Sequence, residues 1–288
     1  CEKYMAWLAT REENGLPRFG IGDWVYYKTV TPSDYTTSAY YYYDLKQMVY
    51  FAELLGKDAK PWADKAAAAL AQLNEEYYDA ATGTYSTGTM AAQAVALWLE
   101  LVPAGGEQKV ADVLAAKLRE NDHKVDFGML GSKTVLRMLT RYGYVQDAFR
   151  LASQTGSPGW LNWVGEKGHT TLPETWTLDE GNKDASLNHV FLGDIVAWLV
   201  NDIAGIAHDG RGTGFRHFVV APHFVKGLDW AKAEYNSVRG MIRSQWVRQG
   251  GKVTLTVEVP VGSTATLRLD GKESTLPAGV HNITVDEK

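Results

Sequence analysis

Glu174 sits in Gly168-His169-Thr170-Thr171-Leu172-Pro173-Glu174-Thr175-Trp176, a carboxylate between a proline and an indole. Pro173 lacks a backbone donor and disfavours helix in the residue before it, so the stretch reads as a loop that displays Glu174. A loop acid beside an aromatic ring suits sugar chemistry. The ring gives an apolar platform, and the carboxylate can take a proton from water. An exposed loop acid beside a core Trp fits the same residues. Ser186-Leu187-Asn188-His189 follows, and Asn188 and His189 are expected in the first turn of the next helix, reaching across the loop.

Two further stretches carry chemistry. Phe19-Gly20-Ile21-Gly22-Asp23-Trp24 has no Gly-Lys-Ser/Thr ending and no strand before it, so it is no phosphate loop. Its glycines can bring Asp23 and Trp24 close to a ligand, where Asp23 accepts sugar hydroxyls and Trp24 stacks on a ring face. A turn with a capping Asp and a buried Trp fits equally. Asp126 opens a second Gly-flanked loop, Asp126-Phe127-Gly128-Met129-Leu130-Gly131. It reads first as a helix-capping or loop-bonding Asp, and second as a residue facing a site.

The elements that must position these residues are mostly helical. Apolar spacing predicts helices over 1–12, 33–55, 58–77, 90–101, 107–120, 133–140, 145–153 and 186–206, with a long irregular segment over 156–184. Tyr40-Tyr41-Tyr42-Tyr43 covers more than one face of its helix, so some rings meet the core and some a cavity or solvent. The period then changes. Residues 215–220, 252–259, 265–269 and 280–285 read as strands of a small antiparallel β module. The boundary falls at 211/212. Helical hairpins in series, arranged round a circle, would gather their loops at one end as the floor of a ligand site.

Composition narrows the class. The chain has 288 residues, 45% hydrophobic and 22% charged, enough for a substantial core. A net charge of -5 argues against a nucleic-acid partner. No apolar run reaches the ~18 residues of a membrane span. The single Cys1 excludes an internal disulfide framework and a cysteine metal site. His169, His189, His208, His217 and His223 are scattered without a close-spaced pair, so no metal is expected, and no cofactor is implied. The chain opens inside an apparent helix, which leads us to expect missing sequence upstream. The compartment stays open between secreted, periplasmic and cytoplasmic.

Gly20-Ile21-Gly22-Asp23-Trp24 with Thr31-Pro32, then Gly131-Ser132-Lys133-Thr134-Val135-Leu136-Arg137-Met138-Leu139, then Thr170 to Trp176, then Ser186-Leu187-Asn188-His189 with Gly193 and Trp198, resemble the bacterial α-L-rhamnosidases of glycoside hydrolase family 78. The tail from Phe215, with Ala221-Pro222 and Val257-Glu258-Val259-Pro260, resembles the β-sandwich that follows their barrel. The resemblance implies an (α/α)6-barrel domain over 1–211, incomplete at its N-terminus, and a β-sandwich over 212–288. It implies removal of terminal α-L-rhamnose by inversion, without a cofactor. Glu174 then corresponds to the general base. Asp23, Trp24 and His189 correspond to sugar-binding positions, Trp176 to a wall of the same pocket, and Asp126 to a neighbour. The family's general acid lies in an Asp/Glu- and Arg-rich motif well before the Gly-Asp-Trp segment, and nothing before Asp23 matches it. The base motif also departs, with Pro173 where a Trp is frequent and Thr175 where an Arg is frequent. The expected partners are therefore an L-rhamnoside and the missing N-terminal part of the same polypeptide, with no nucleic acid and no membrane. Three alternatives share these residues: a hydrolase of another glycoside such as a uronic acid, a non-catalytic carbohydrate-binding fragment, and a purely structural helical domain.

Overall fold

The computed structural model describes residues 1–178, 181, 184–208 and 213–287. The chain divides into two compact units, Cys1–Gly193 and Asp194–Lys288. The boundary at 211/212 expected from sequence lies outside the described residues.

The first unit is a series of helical hairpins. Helix α1 (Glu2–Ala9) precedes a short hairpin of β1 (Glu12–Glu13) and β2 (Leu16–Pro17). Then follow α2 (Ser33–Leu54), α3 (Lys60–Tyr77), the hairpin β3 (Tyr78–Asp79) and β4 (Thr84–Tyr85), and α4 (Met90–Trp98). Helices α5 (Glu107–Glu120), α6 (Met129–Arg141) and α7 (Val145–Ala152) complete the set. Each even-numbered helix from α2 packs on the odd-numbered helix that follows it, and α4 also packs on α2 and α6. The sequence dictates this layering. Met90 through Leu97 are all buried and, apart from Gln93, whose amide bonds the backbone of Gly83 and Tyr85, apolar or small on every side, as an inner helix requires. In α5 only Val110, Ala111, Leu114, Ala115 and Leu118 are buried, the single stripe of an outer helix. Alternating inner and outer helices place the N-termini of α2, α4 and α6 at one end. A side-chain hydrogen bond of 2.7 Å between Thr31 and Thr89, which precede α2 and α4, ties two of those ends together.

Among the described residues between α7 and Gly193 the main helical feature is a turn at Trp160 that continues as a π-helical turn over Asn162–Glu166. Trp160, Trp163 and Trp176 are buried here.

The second unit starts with α8 (Ile195–Trp198), continued as a π-helical turn over Leu199–Ile203. Among the described residues eight strands follow: β5 (Ile206–Ala207), β6 (His217–Val220), β7 (Trp230–Ser237), β8 (Gly240–Gln249), β9 (Lys252–Val259), β10 (Thr264–Leu269), β11 (Lys272–Leu276) and β12 (Gly279–Asp286). They form two four-stranded sheets, ordered β11-β10-β6-β5 and β12-β9-β8-β7. All pairings are antiparallel except β6 with β10, which is parallel. Val253, Leu255, Val257 and Val259 of β9 point inward with the period of two that the sequence shows. Among the described residues no helix is long and apolar enough to cross a membrane.

The helix predicted over 186–206 is much shorter. Ser186 and Asn188 bond each other locally, Ser186 Oγ donating to the Asn188 carbonyl and the Asn188 N–H donating to Ser186 Oγ. Such side-chain bonds compete with helix formation. The segment instead pairs with residues 171–174.

Candidate active site

Glu174 is fixed by its backbone. Its N–H donates to the Ser186 carbonyl at 2.9 Å, and the Ser186 N–H donates to Glu174 Oε2 at 3.1 Å. The His189 N–H donates to the Leu172 carbonyl at 2.8 Å, and the Thr171 hydroxyl donates to the Leu187 carbonyl at 2.6 Å. A two-stranded clip therefore holds Glu174 and His189 on adjoining segments. Asn188 and His189 lie on this clip and not in the first turn of a helix, a correction to the sequence reading. Glu174 stays half-buried, so its carboxylate is accessible to a ligand.

His189 is oriented by its neighbour. The Phe191 N–H donates to its Nδ1 at 3.2 Å, and the Phe191 ring lies 3.9 Å away, centroid to centroid. An accepting Nδ1 carries no proton, so in the neutral ring the proton sits on Nε2. That nitrogen is then a donor, the polarity that a sugar hydroxyl can accept.

Asp23 is 2% exposed. Its Oδ2 accepts the Gly128 N–H at 2.7 Å, and its Oδ1 accepts those of Leu130 at 2.7 Å and Gly131 at 3.1 Å. The Met129 N–H donates to the Trp24 carbonyl at 2.9 Å. The structure therefore uses Asp23 as the distant cap of α6, one of the two readings its sequence allowed. Burial raises the Asp23 carboxyl above its ordinary value; the three amides pull it down and the nearby Asp126 charge adds to the rise. Trp24 does not follow the capping reading, which paired it with burial: it is 48% exposed. Its ring is available as a platform.

Asp126 bonds a loop, as its first reading held. Its Oδ1 accepts the Lys28 N–H at 2.9 Å and the Thr29 N–H at 2.8 Å, and its Oδ2 accepts the Thr29 hydroxyl. Trp176 is 0% exposed. It stacks on Trp163 at 4.6 Å and 13°, and meets Trp160 and Phe127 edge-on at 5.1 and 6.2 Å. This ring backs the Glu174 loop from within and presents no surface of its own.

Beside the 19–22 loop runs a groove of about 560 Å³, lined by Tyr4, Trp7, Phe19, Tyr40, Asp44 and Leu130 among others. Burial, with the charge of Asp23, pushes the Tyr40 hydroxyl up to about 12. Burial also raises the Asp44 carboxyl. Sequence reading did not single out Asp44. The only signal for Tyr40 was the tyrosine run, too many rings for one buried face. No group of three or more His, Cys, Asp or Glu able to hold a metal ion occurs among the described residues.

Comparison with known proteins places this arrangement. Residues 1–203 match the family model for the bacterial alpha-L-rhamnosidase 6 hairpin glycosidase domain, and residues 205–284 match that for the bacterial alpha-L-rhamnosidase C-terminal domain. A Streptomyces avermitilis alpha-L-rhamnosidase is 32% identical over 270 residues, covering 90% of this chain and 26% of that protein. One from Formosa agariphila is 26% identical over 289 residues, covering 93% of this chain and 30% of that protein. The crystal structure of a Streptomyces avermitilis alpha-L-rhamnosidase complexed with L-rhamnose superposes with a TM-score of 0.90 at 28% identity, over 99% of this chain and 30% of that one. An Aspergillus terreus rhamnosidase structure shares the fold, with a TM-score of 0.88 at 24% identity, over 99% and 36% of the two chains. The chain thus spans about a quarter to a third of the length of these relatives. On the match of both domains in order, the chain belongs to the bacterial α-L-rhamnosidase family of six-hairpin glycosidases.

Proposed function

We propose that this chain carries the general-base part of an α-L-rhamnosidase. Glu174 takes a proton from the water that attacks the anomeric carbon, with inversion. His189 donates from Nε2 to a rhamnose hydroxyl, and Trp24 offers its ring to a sugar face. The partner acid of an inverting pair must lie some 6.5–9.5 Å from the base to admit that water. We assign it to the part of the longer family members that this chain does not span. The clip supports the reading most directly, because it presents a half-buried Glu174 and a tautomer-defined His189 on paired segments. Asp23 and Asp126 are then held by backbone amides, and Trp176 supports from behind.

The test combines binding and turnover. Titration with L-rhamnose should show binding by the chain that Trp24→Ala weakens. Hydrolysis of an aryl α-L-rhamnoside should be low in the isolated chain. In a polypeptide that also carries the partner acid, Glu174→Gln should lower it by roughly 10²–10⁴, the usual worth of a general base. Full rhamnosidase activity in the 288-residue chain, or unchanged turnover in Glu174→Gln, refutes the assignment. A panel of other aryl glycosides, uronides included, decides the sugar.

A further inference from the structure

We propose that Asp23 and Asp126 are positioning residues, a reciprocal clasp that sets Trp24 against the Glu174 loop; the inference rests on the sugar-platform reading of Trp24. A helix leaves its first N–H groups without intrahelical partners. In α6 the N–H groups of Gly128, Met129, Leu130 and Gly131 all end on Asp23 and Trp24. In return, Asp126, just before α6, receives the N–H groups of Lys28 and Thr29. Two segments about a hundred residues apart thus each supply the carboxylate for the other's amides.

Three observations show the clasp is tight. A Cβ on Gly128 would lie 2.1 Å from the Trp24 carbonyl oxygen and 2.4 Å from that of Asp23, so the backbones touch. Val25 has a φ of +57°, an outlier for a β-branched residue, which persists only where the surroundings over-determine it. The Trp24 main chain is pinned by the Met129 N–H at 2.9 Å although its side chain is half-exposed. The clasp reaches Glu174 through Phe127, which lies between Asp126 and Gly128 and packs edge-on against Trp176 at 6.2 Å and 86°. Trp176 is two residues from Glu174.

The test uses the full chain labelled with 5-fluorotryptophan. Fluorine resonances of Trp24, Trp176 and Trp246 are assigned by their loss in Trp24→Phe, Trp176→Phe and Trp246→Phe. Asp23→Asn and Asp126→Asn are compared with Asp64→Asn, a surface carboxylate paired to Lys60. Both clasp variants should shift or broaden the Trp24 and Trp176 resonances, leave that of Trp246 in place, and weaken L-rhamnose binding at least about fivefold, on the scale of one lost hydrogen bond. Asp64→Asn should change nothing. Should Asp23→Asn fail to fold, Asp126→Asn decides alone. Native circular dichroism in Asp126→Asn with an unmoved Trp24 resonance overturns the proposal. Unfolding of both variants also overturns it, because the carboxylates would then be determinants of the fold alone. Absence of L-rhamnose binding by the unsubstituted chain counts against the functional reading, whereas the resonances still decide the clasp.

Discussion

His189 and Asp147 show how one side-chain atom sets a measurable quantity. With its proton on Nε2, His189 can give one hydrogen bond to a sugar, so His189→Ala should weaken L-rhamnose binding by about tenfold, near 1–1.5 kcal/mol. Equilibrium titration checks this, and unchanged affinity would remove His189 from the site. Asp147 is unrelated to the sugar. Arg119 and His123 bond its carboxylate at 2.6 and 2.7 Å. Burial alone would raise this carboxyl, but the hydrogen bonds from Arg119 and His123, with the Arg119 charge, hold it below the ordinary carboxylate range. A carboxyl depressed in the folded state stabilises above its unfolded value, near 3.9, and that stability fades as pH falls through the lower folded value. Asp147→Asn should therefore lower Tm by roughly 2–4 °C at neutral pH. The gap to the parent should close below about pH 4. At this scale the sequence shows which residues carry chemistry but not what each one faces. Nothing near Asp23 reveals that its partner is Gly128, 105 positions on.

Among the elements, those with a clean period match their expected bounds, because packing and propensity agree there. Helix α5 spans Glu107–Glu120 and strand β9 spans Lys252–Val259, as their spacing predicts. The expected helix over 186–206 shrinks to residues 195–203 because long-range pairing with residues 171–174 overrides a local apolar pattern. Strands β7 and β8 went unread, since Lys232, Glu234, Arg243 and Arg248 interrupt their apolar rows. Helix α6 offers the sharpest test of how elements are joined. Gly128 has a φ of -103° and no left-handed strain, but a Cβ there would press on the Asp23 and Trp24 carbonyls, so crowding is the main demand for glycine. Gly143 is the opposite case, with a φ of +91° and nothing within 4 Å of a built Cβ. Gly143→Ala should cost about 1–2 kcal/mol, from conformation alone. Gly128→Ala pushes on two carbonyls that cannot swing aside, so its cost should be about 3 kcal/mol or more. Urea unfolding of the two variants compares them directly, and equal costs would show that the clasp yields.

For the molecule as a whole, the open question is where the second domain begins. A change of period from helix to strand places it near 212, and the family match places it at 205. Hydrogen bonds inside the second compact unit favour an earlier start. Trp246 Nε1 donates to the Ile203 carbonyl at 2.9 Å, and Ser244 Oγ donates to the Ala204 carbonyl at 2.5 Å. Both side chains are fully buried on β8, so neither can turn to water. β5 also forms the edge of the sheet next to β6, and His223 bonds the Asp202 carbonyl. A polypeptide starting at 205 leaves the Trp246 and Ser244 donors buried without acceptors, at about 1–3 kcal/mol each. One starting at 212 loses β5 as well and uncovers the strand beside it. We therefore expect stability to rank 194–288 above 205–288 above 212–288, with a step of several degrees in Tm at each truncation. Thermal unfolding of the three polypeptides, followed by the β-sheet signal in far-ultraviolet circular dichroism, measures the ranking. If 212–288 melts at the same temperature as 194–288, α8 and its π-helical turn contribute nothing to the β domain, and a boundary near 212 stands.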